Sequence, residues 1–215
     1  MQRSEDMKFQ AWGDRACFTQ PLYRVERATY DVPTPSAVVG IAEAIYWHPG
    51  MHYRVTKIEV LKPIRHLSMR TNEVSCVSSK PFDVEKFRTQ RNTVYLWDVA
   101  YVFTIHFELD GTAAHNIPAN TEMFRRRLKK GQLHHTPYFG MLPFVCHVSE
   151  APESYETIEQ GVDRPLGPML YGRDYQKWRR NGEKGFPEPL MFEARLENGV
   201  VHIPPYKAVL AASQV

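Results

Sequence analysis

The chain has 215 residues, 43% apolar and 12% aromatic, with 27 Lys and Arg against 24 Asp and Glu for a formal charge of +3. That length and apolar content describe an ordered globular protein with a sizeable core and exclude a disordered or fibrous chain. The near balance of charge excludes an overall polycation, so affinity for a polyanion has to come from local clusters.

Met1 to Phe9 is polar and lacks the apolar centre of a secretory signal, and no eighteen consecutive apolar residues mark a membrane span. The expectation is therefore a cytoplasmic protein without a membrane partner. Cys17, Cys76 and Cys146 lie far apart with no paired spacing for zinc, and are expected to be buried thiols. Apolar and polar residues roughly alternate from Met7 to Trp12, which predicts a strand. Residues 13 to 33 read as loop-rich, with Arg15, Arg24 and Arg27 among Phe18, Tyr23 and Tyr30. Such a mixture suits RNA, since guanidinium forks hold phosphate and aromatic faces stack bases; it equally suits an ordinary surface with Asp14, Glu26 or Asp31 as ion partners.

Thr34 to Pro49 holds the clearest helix. Thr34 caps it, Pro35 suits its first position, and His48-Pro49-Gly50 ends it. At 100° per residue Val38, Ile41, Ala42 and Ile45 form one stripe, with Val39 and Tyr46 along its edge, so the Tyr46 ring is expected to pack while its hydroxyl reaches a surface. Tyr53 to Val60 alternates with one phase slip, a strand with a bulge. Residues 67 to 90 carry Arg70, Lys80, Lys86 and Arg88 without periodicity and read as a long connection or hairpin arm. Thr93 to Leu109 is dense in β-formers and predicts a long central strand or a strand pair. Pro118 opens a second helix whose Phe124 and Leu128 face the core, while Arg125, Arg126 and Lys129 spread over the opposite side as a solvated or RNA-facing surface. Residues 133 to 147 return to apolar β character. Ser149 to Glu159 is acidic and Pro-bearing, a linker that would repel RNA. In the tail, Leu190 to Leu196, Glu197-Asn198-Gly199 and Val200 to Ile203 predict a hairpin, preceded by the basic loop Lys177 to Gly185.

Several of these stretches resemble one family in order and spacing. They are Trp12 to Thr19, Val25 to Val32, the helix itself, Val60 to Arg65, Asn72-Glu73-Val74 and Gln90-Arg91-Asn92-Thr93. His115-Asn116-Ile117, Arg127 to Gln132, His135, Pro137-Tyr138 and Gly140 continue the series. The chain is similar to the CRISPR-associated protein 5 family in its type I-C (Dvulg) branch, closely over roughly residues 1 to 145. The resemblance implies an α+β fold. It is a ferredoxin-like βαββαβ domain of the RNA-recognition type over residues 1–148, with a small C-terminal antiparallel β extension over 149–215. It also implies metal-independent cleavage of precursor CRISPR RNA at the repeat hairpin, without cofactor, and retention of the mature CRISPR RNA beside the backbone and large subunits of a type I-C interference complex.

In that chemistry the ribose 2′-hydroxyl attacks the adjacent phosphate, so the protein must remove one proton and supply another. Tyr46 matches the family's active-site tyrosine; a free tyrosine is only about 0.1% ionised at neutral pH and needs a cation to act as base. The family's Lys-His pair is not found, because Ala113-Ala114 stands where it aligns. The histidines near the implied groove are His115, His48 and His135, and histidine can carry both protons. Arg15, Arg24, Arg27, Arg70, Arg91, Arg125, Arg126, Lys129 and Tyr138 are the candidate RNA contacts. Two readings stay open: a repeat endoribonuclease, and a non-catalytic subunit that caps the 5′ end of the guide.

Overall fold

The computed structural model describes residues 2–23, 26–113, 115–158, 162–175 and 187–213. In chain order the first half runs β1 (Gln2–Arg3), β2 (Met7–Ala16), α1 (Pro35–Ile45), β3 (Met51–Val60), β4 (His66–Val74), α2 (Val84–Phe87) and β5 (Arg88–Leu109). The second half runs α3 (Ile117–Lys130), β6 (His147–Glu150), β7 (Asp163–Arg173), β8 (Pro189–Glu197), β9 (Val200–His202) and α4 (Tyr206–Ala212). The strands form one mixed-length antiparallel sheet in the order β6-β2-β5-β3-β9-β8-β7, with β1 and β4 also paired to β5. No helix among the described residues is long and apolar enough to cross a membrane.

The organising element is β5, a single strand of 22 residues. Its first half pairs with β4 from Arg88 to Leu96 and makes the hairpin arm expected from residues 67 to 90. Its second half lies between β2 and β3. There Phe103, Ile105 and Phe107 turn to one face, where Phe9 packs edge-on against Phe103 and against Phe124 of α3. The opposite face carries Val102 and Thr104 and is crossed by the segment after β6, where Tyr155 accepts from Lys8 Nζ (2.8 Å) and donates to Glu59 (3.1 Å). Burial on both faces is why this stretch reads as continuous β-formers rather than alternation.

The phase slip in β3 is a bulge. Val55 pairs with Ile105 and Lys57 with Thr104, leaving Thr56 as the extra residue, so Tyr53 and Val55 before it and Ile58 and Val60 after it all face the core. Helix α1 begins as the sequence predicts, with Thr34 Oγ1 accepting from the Ala37 N–H (3.2 Å) and Val38, Ile41, Ala42 and Ile45 buried. Helix α3 is capped by Asn116 and ends at Gly131 in the left-handed region. The tail hairpin turns on Asn198 (φ 51°) and Gly199 (φ 75°), the signature of a two-residue primed turn. Through β9, which pairs with Lys57 to Glu59 of β3, the C-terminal strands continue the main sheet.

Three expectations need correction. Residues 133 to 147 form no strand beyond the start of β6 at His147; a single bridge joins Tyr138 to Val145. Pro137, Gly140 (φ 76°) and Pro143 break the run, and Phe139 and Phe144 are buried as plugs against Tyr101 and Tyr95 instead. A side chain at Gly140 would meet the Cys17 carbonyl, which holds this loop against the end of β2. Second, β2 extends to Ala16 and β6 takes in Ser149 and Glu150, shortening the expected loop and linker. Third, Cys17 and Cys146 are buried, with burial raising both thiols, Cys17 to about 11, but Cys76 on the hairpin arm is only half-buried. The basic loop Lys177 to Gly185 lies outside the described residues apart from its sequence.

Candidate active site

Helix α1 stops at Ile45, and Tyr46 leaves it in extended conformation (φ −151°, ψ 125°). This turns the Tyr46 ring inward, to 3% exposure, so its hydroxyl does not reach the surface as the helical projection suggests. It donates instead to Asn120 Oδ1 (2.9 Å) in the first turn of α3. Asn120 is fully buried, and its amide donates to the carbonyls of His115 (2.9 Å) and Asn116 (3.0 Å). One asparagine therefore ties the end of α1 to the entry of α3, using both amide donors and its oxygen. The Tyr46 carbonyl accepts from Tyr53 on β3 (2.8 Å), and the Arg127 guanidinium lies 5.3 Å from the Tyr46 ring centre. Burial raises the Tyr46 pKa, with Arg127 opposing more weakly, so the phenol stays neutral at physiological pH and acts as a donor.

Asn120 and Arg127 were missed in the sequence. A signal for Asn120 was present: it stands four residues before Phe124 and eight before Leu128, a polar residue on the core stripe. Asn120→Ala leaves the Tyr46 hydroxyl and two carbonyls short of partners, and a loss of about 2 kcal/mol is expected. For a chain of this size that is a melting temperature lower by about 4–8 °C, read by thermal circular dichroism.

His48 and His115 meet. Their ring centres are 5.3 Å apart, inclined at 58°. The contact exists because the turn after α1 presses on the turn after β5: Gly50 has φ 82°, and a side chain there would lie 2.6 Å from the Ala113 nitrogen. The second turn is fixed by Asp110, which accepts from the Thr112 N–H (2.8 Å) and hydroxyl (2.6 Å) and contacts His52 Nε2 (2.8 Å). These bonds from Thr112 and His52 hold the Asp110 carboxyl down at about 2. His48 Nδ1 is 3.0 Å from the Pro49 carbonyl, which can only accept, so Nδ1 carries a proton and Nε2 of the neutral ring is left as a base. His135 is elsewhere. Its backbone N–H and that of His134 both bond the Ala44 carbonyl, and its exposed ring lines a separate cleft with Glu43 and Tyr138.

With this geometry in hand, the comparisons with known proteins are decisive. The family model described as CRISPR-associated protein (Cas_Cas5), in its Cas5d form, matches residues 6–204. A protein of Thermus thermophilus named CRISPR pre-crRNA endoribonuclease Cas5d is 40% identical over 94% of this chain and 92% of its own length. One of the same name from Mannheimia succiniciproducens is 35% identical over 94% and 96%. The chain belongs to the Cas5 family, in its type I-C branch. Among solved structures, one described as a CRISPR-associated protein superposes with a TM-score of 0.71 at 23% identity, covering 96% of this chain and 95% of that one. A chain of a CRISPR RNA-guided surveillance complex gives 0.53 at 12% identity, covering 97% and 98%; at such identities both likenesses concern the fold.

The candidate RNA contacts of this Cas5 protein are spread over several elements. Arg15 is exposed, its guanidinium 5.7 Å from the Tyr95 ring and 5.8 Å from Trp97. Arg27 and Arg91 are both paired with Glu73, Arg91 at 3.4 Å, so they clasp the base of the hairpin arm. Arg70 is exposed on β4, and Arg125, Arg126 and Lys129 are exposed on α3, Arg126 resting 2.8 Å from Met123 sulfur. Asp31 is taken by Arg164 (3.1 Å) and His66 (3.2 Å), not by the arginines near it in sequence. Arg24 lies outside the described residues.

Proposed function

We propose that this chain is a metal-independent endoribonuclease that cleaves precursor CRISPR RNA at the repeat hairpin and then stays on the guide as a subunit of the type I-C interference complex. The observation that carries the cleavage chemistry is the His48–His115 pair, set beside the Tyr46–Asn120 link in a chain 40% identical to a named pre-crRNA endoribonuclease. His48 Nε2 takes the proton of the ribose 2′-hydroxyl as the O2′–P bond forms. His115 returns a proton to the 5′-oxygen as the P–O5′ bond breaks, leaving a 2′,3′-cyclic phosphate and a 5′-hydroxyl. Tyr46, neutral and hydrogen-bonded, positions the His115 segment through Asn120, and Arg127 contributes positive charge toward the phosphorane.

The strand order β6-β2-β5-β3, with α1 and α3 between strands, supports the ferredoxin-like reading of residues 1–148, with 149–215 as its β extension. In the cytoplasm its partners are the RNA and the backbone and large subunits of the complex. A second reading, a non-cleaving cap on the 5′ end of the guide, is favoured by one observation: the Tyr46 hydroxyl is sealed against Asn120.

A denaturing gel of repeat RNA incubated with protein in excess EDTA separates the two. The expected result is a single cleavage by wild type, slowed at least about tenfold in Tyr46→Phe. RNA bound tightly but left intact by wild type establishes the cap instead.

A further inference from the structure

A cleft of about 370 Å³ opens between α1, the loop after β2 and the loop that follows α3, away from the histidine pair. Phe18 and Leu170 give it apolar walls, Ser36 and Glu43 polar ones, and His135 and Tyr138 stand at the side formed by the later loop. Glu43 is half-buried, and among the described residues its carboxylate has no hydrogen-bond or ion-pair partner. Burial accordingly holds its pKa above the usual carboxylate range, His135 offsetting part of that. One turn earlier stands Gly40, where an added Cβ would meet nothing within 4 Å. A glycine weakens a helix interior relative to alanine, so an open space kept in front of one suggests the approach of something else.

We infer that this cleft receives one unpaired guanine of the bound RNA, with Glu43 accepting from its Watson–Crick edge and Tyr138 stacking on its face. The inference rests on the RNA-processing reading above. A carboxylate in an RNA groove repels phosphate, so its useful partner is a base. Guanine is the base that offers two adjacent donors, N1–H and N2–H, to match the two oxygens of a carboxylate, as a guanidinium does. Adenine offers one amine, cytosine one amine beside an acceptor, and uracil one N–H between two carbonyls that the carboxylate would repel. Tyr138 is 37% exposed, which leaves ring surface for stacking.

The test uses the full chain and fluorescein-labelled single-stranded heptamers of uridine with one central guanosine, adenosine, cytidine or inosine, read by anisotropy. Wild type is expected to bind the guanosine heptamer about tenfold more tightly than the adenosine one. Inosine, which lacks the N2 amine, falls between. Glu43→Gln should abolish that preference while binding the adenosine heptamer at least as well. Gly40→Leu, which suits a helix but fills the cleft, should abolish it too. Tyr138→Ala should weaken all heptamers by a similar factor. Equal wild-type binding to all four, absence of binding to any, or a guanosine preference that survives Glu43→Gln overturns the inference; equal binding would leave an arginine of a neighbouring subunit as the fork-shaped occupant. Cleavage of repeat RNA by the same preparation keeps the two readings apart. Cleavage without base preference sinks the guanine pocket alone, and base preference without cleavage sinks only the nuclease.

Discussion

His115→Ala is expected to slow single-turnover cleavage of repeat RNA by about 10²–10⁴-fold, the range for removing a positioned acid or base. The variant is informative because the His115 contribution divides cleanly between side chain and backbone. Its carbonyl accepts from Asn120 whatever the side chain is, so the Tyr46–Asn120 link and the capped start of α3 survive the substitution. Its ring, by contrast, contacts His48. Melting temperature and RNA affinity should therefore stay near wild type while the rate falls. His48→Ala should fall by a similar factor, and the double variant little further, because groups acting as one unit are not additive. A His115→Ala protein that cleaves at the wild-type rate would remove the pair from the chemistry and leave the cleavage to other groups.

The largest effect on stability is expected for Phe124→Ala. Phe124 is fully buried and packs against Phe9 (6.0 Å between ring centres) and Tyr53 (5.9 Å), joining α3 to β2 and β3 at once. Removing the ring should cost about 3–5 kcal/mol, or about 6–20 °C in melting temperature. The exposed neighbour Arg125→Ala should stay within about 0.5 kcal/mol of wild type in the same denaturation series. Since α3 also carries Asn120 and Arg127, the Phe124 variant should lose cleavage in parallel with stability, and stabilising co-solvents should restore both. Equal melting curves for the two variants would mean that α3 is held by contacts other than this aromatic cluster.

What was legible in the chain is what local chemistry decides. The cap at Thr34, the stripe of α1, the slip at Thr56 and the Asn198-Gly199 turn each depend on residues within one short segment, and each is found where the pattern puts it. Residues 133 to 147 misled because apolar composition speaks for burial without saying in what conformation. Phe139 and Phe144 are buried as expected, but Pro137, Gly140 and Pro143 forbid the ladder. The placement of Tyr46 failed for another reason: the residue sits one step past the helix, where the 100° projection no longer applies. The meeting of His48 with His115 joins residues 67 positions apart through two turns, and no periodicity reports on such a contact. The family resemblance named Tyr46, and His48, His115 and His135 were the candidate histidines near the groove it implies; only the packing of the two turns explains why His48 and His115 touch while His135 stands apart.

The pairing of β5 has a consequence for how the molecule comes into being. Strands β1, β2, β3 and β4 form no ladders with one another; each pairs with β5 or with a strand that follows it. During synthesis, then, everything before Arg88 leaves the ribosome with exposed strand edges, and nothing closes them until β5 follows, from Arg88 to Leu109. Collapse should come late and nearly all at once, slowly for a protein of this length. Before that moment the nascent chain is most vulnerable to pairing with another copy of itself, which makes coexpressed chaperones or early supply of its assembly partners the effective route to material that stays in solution.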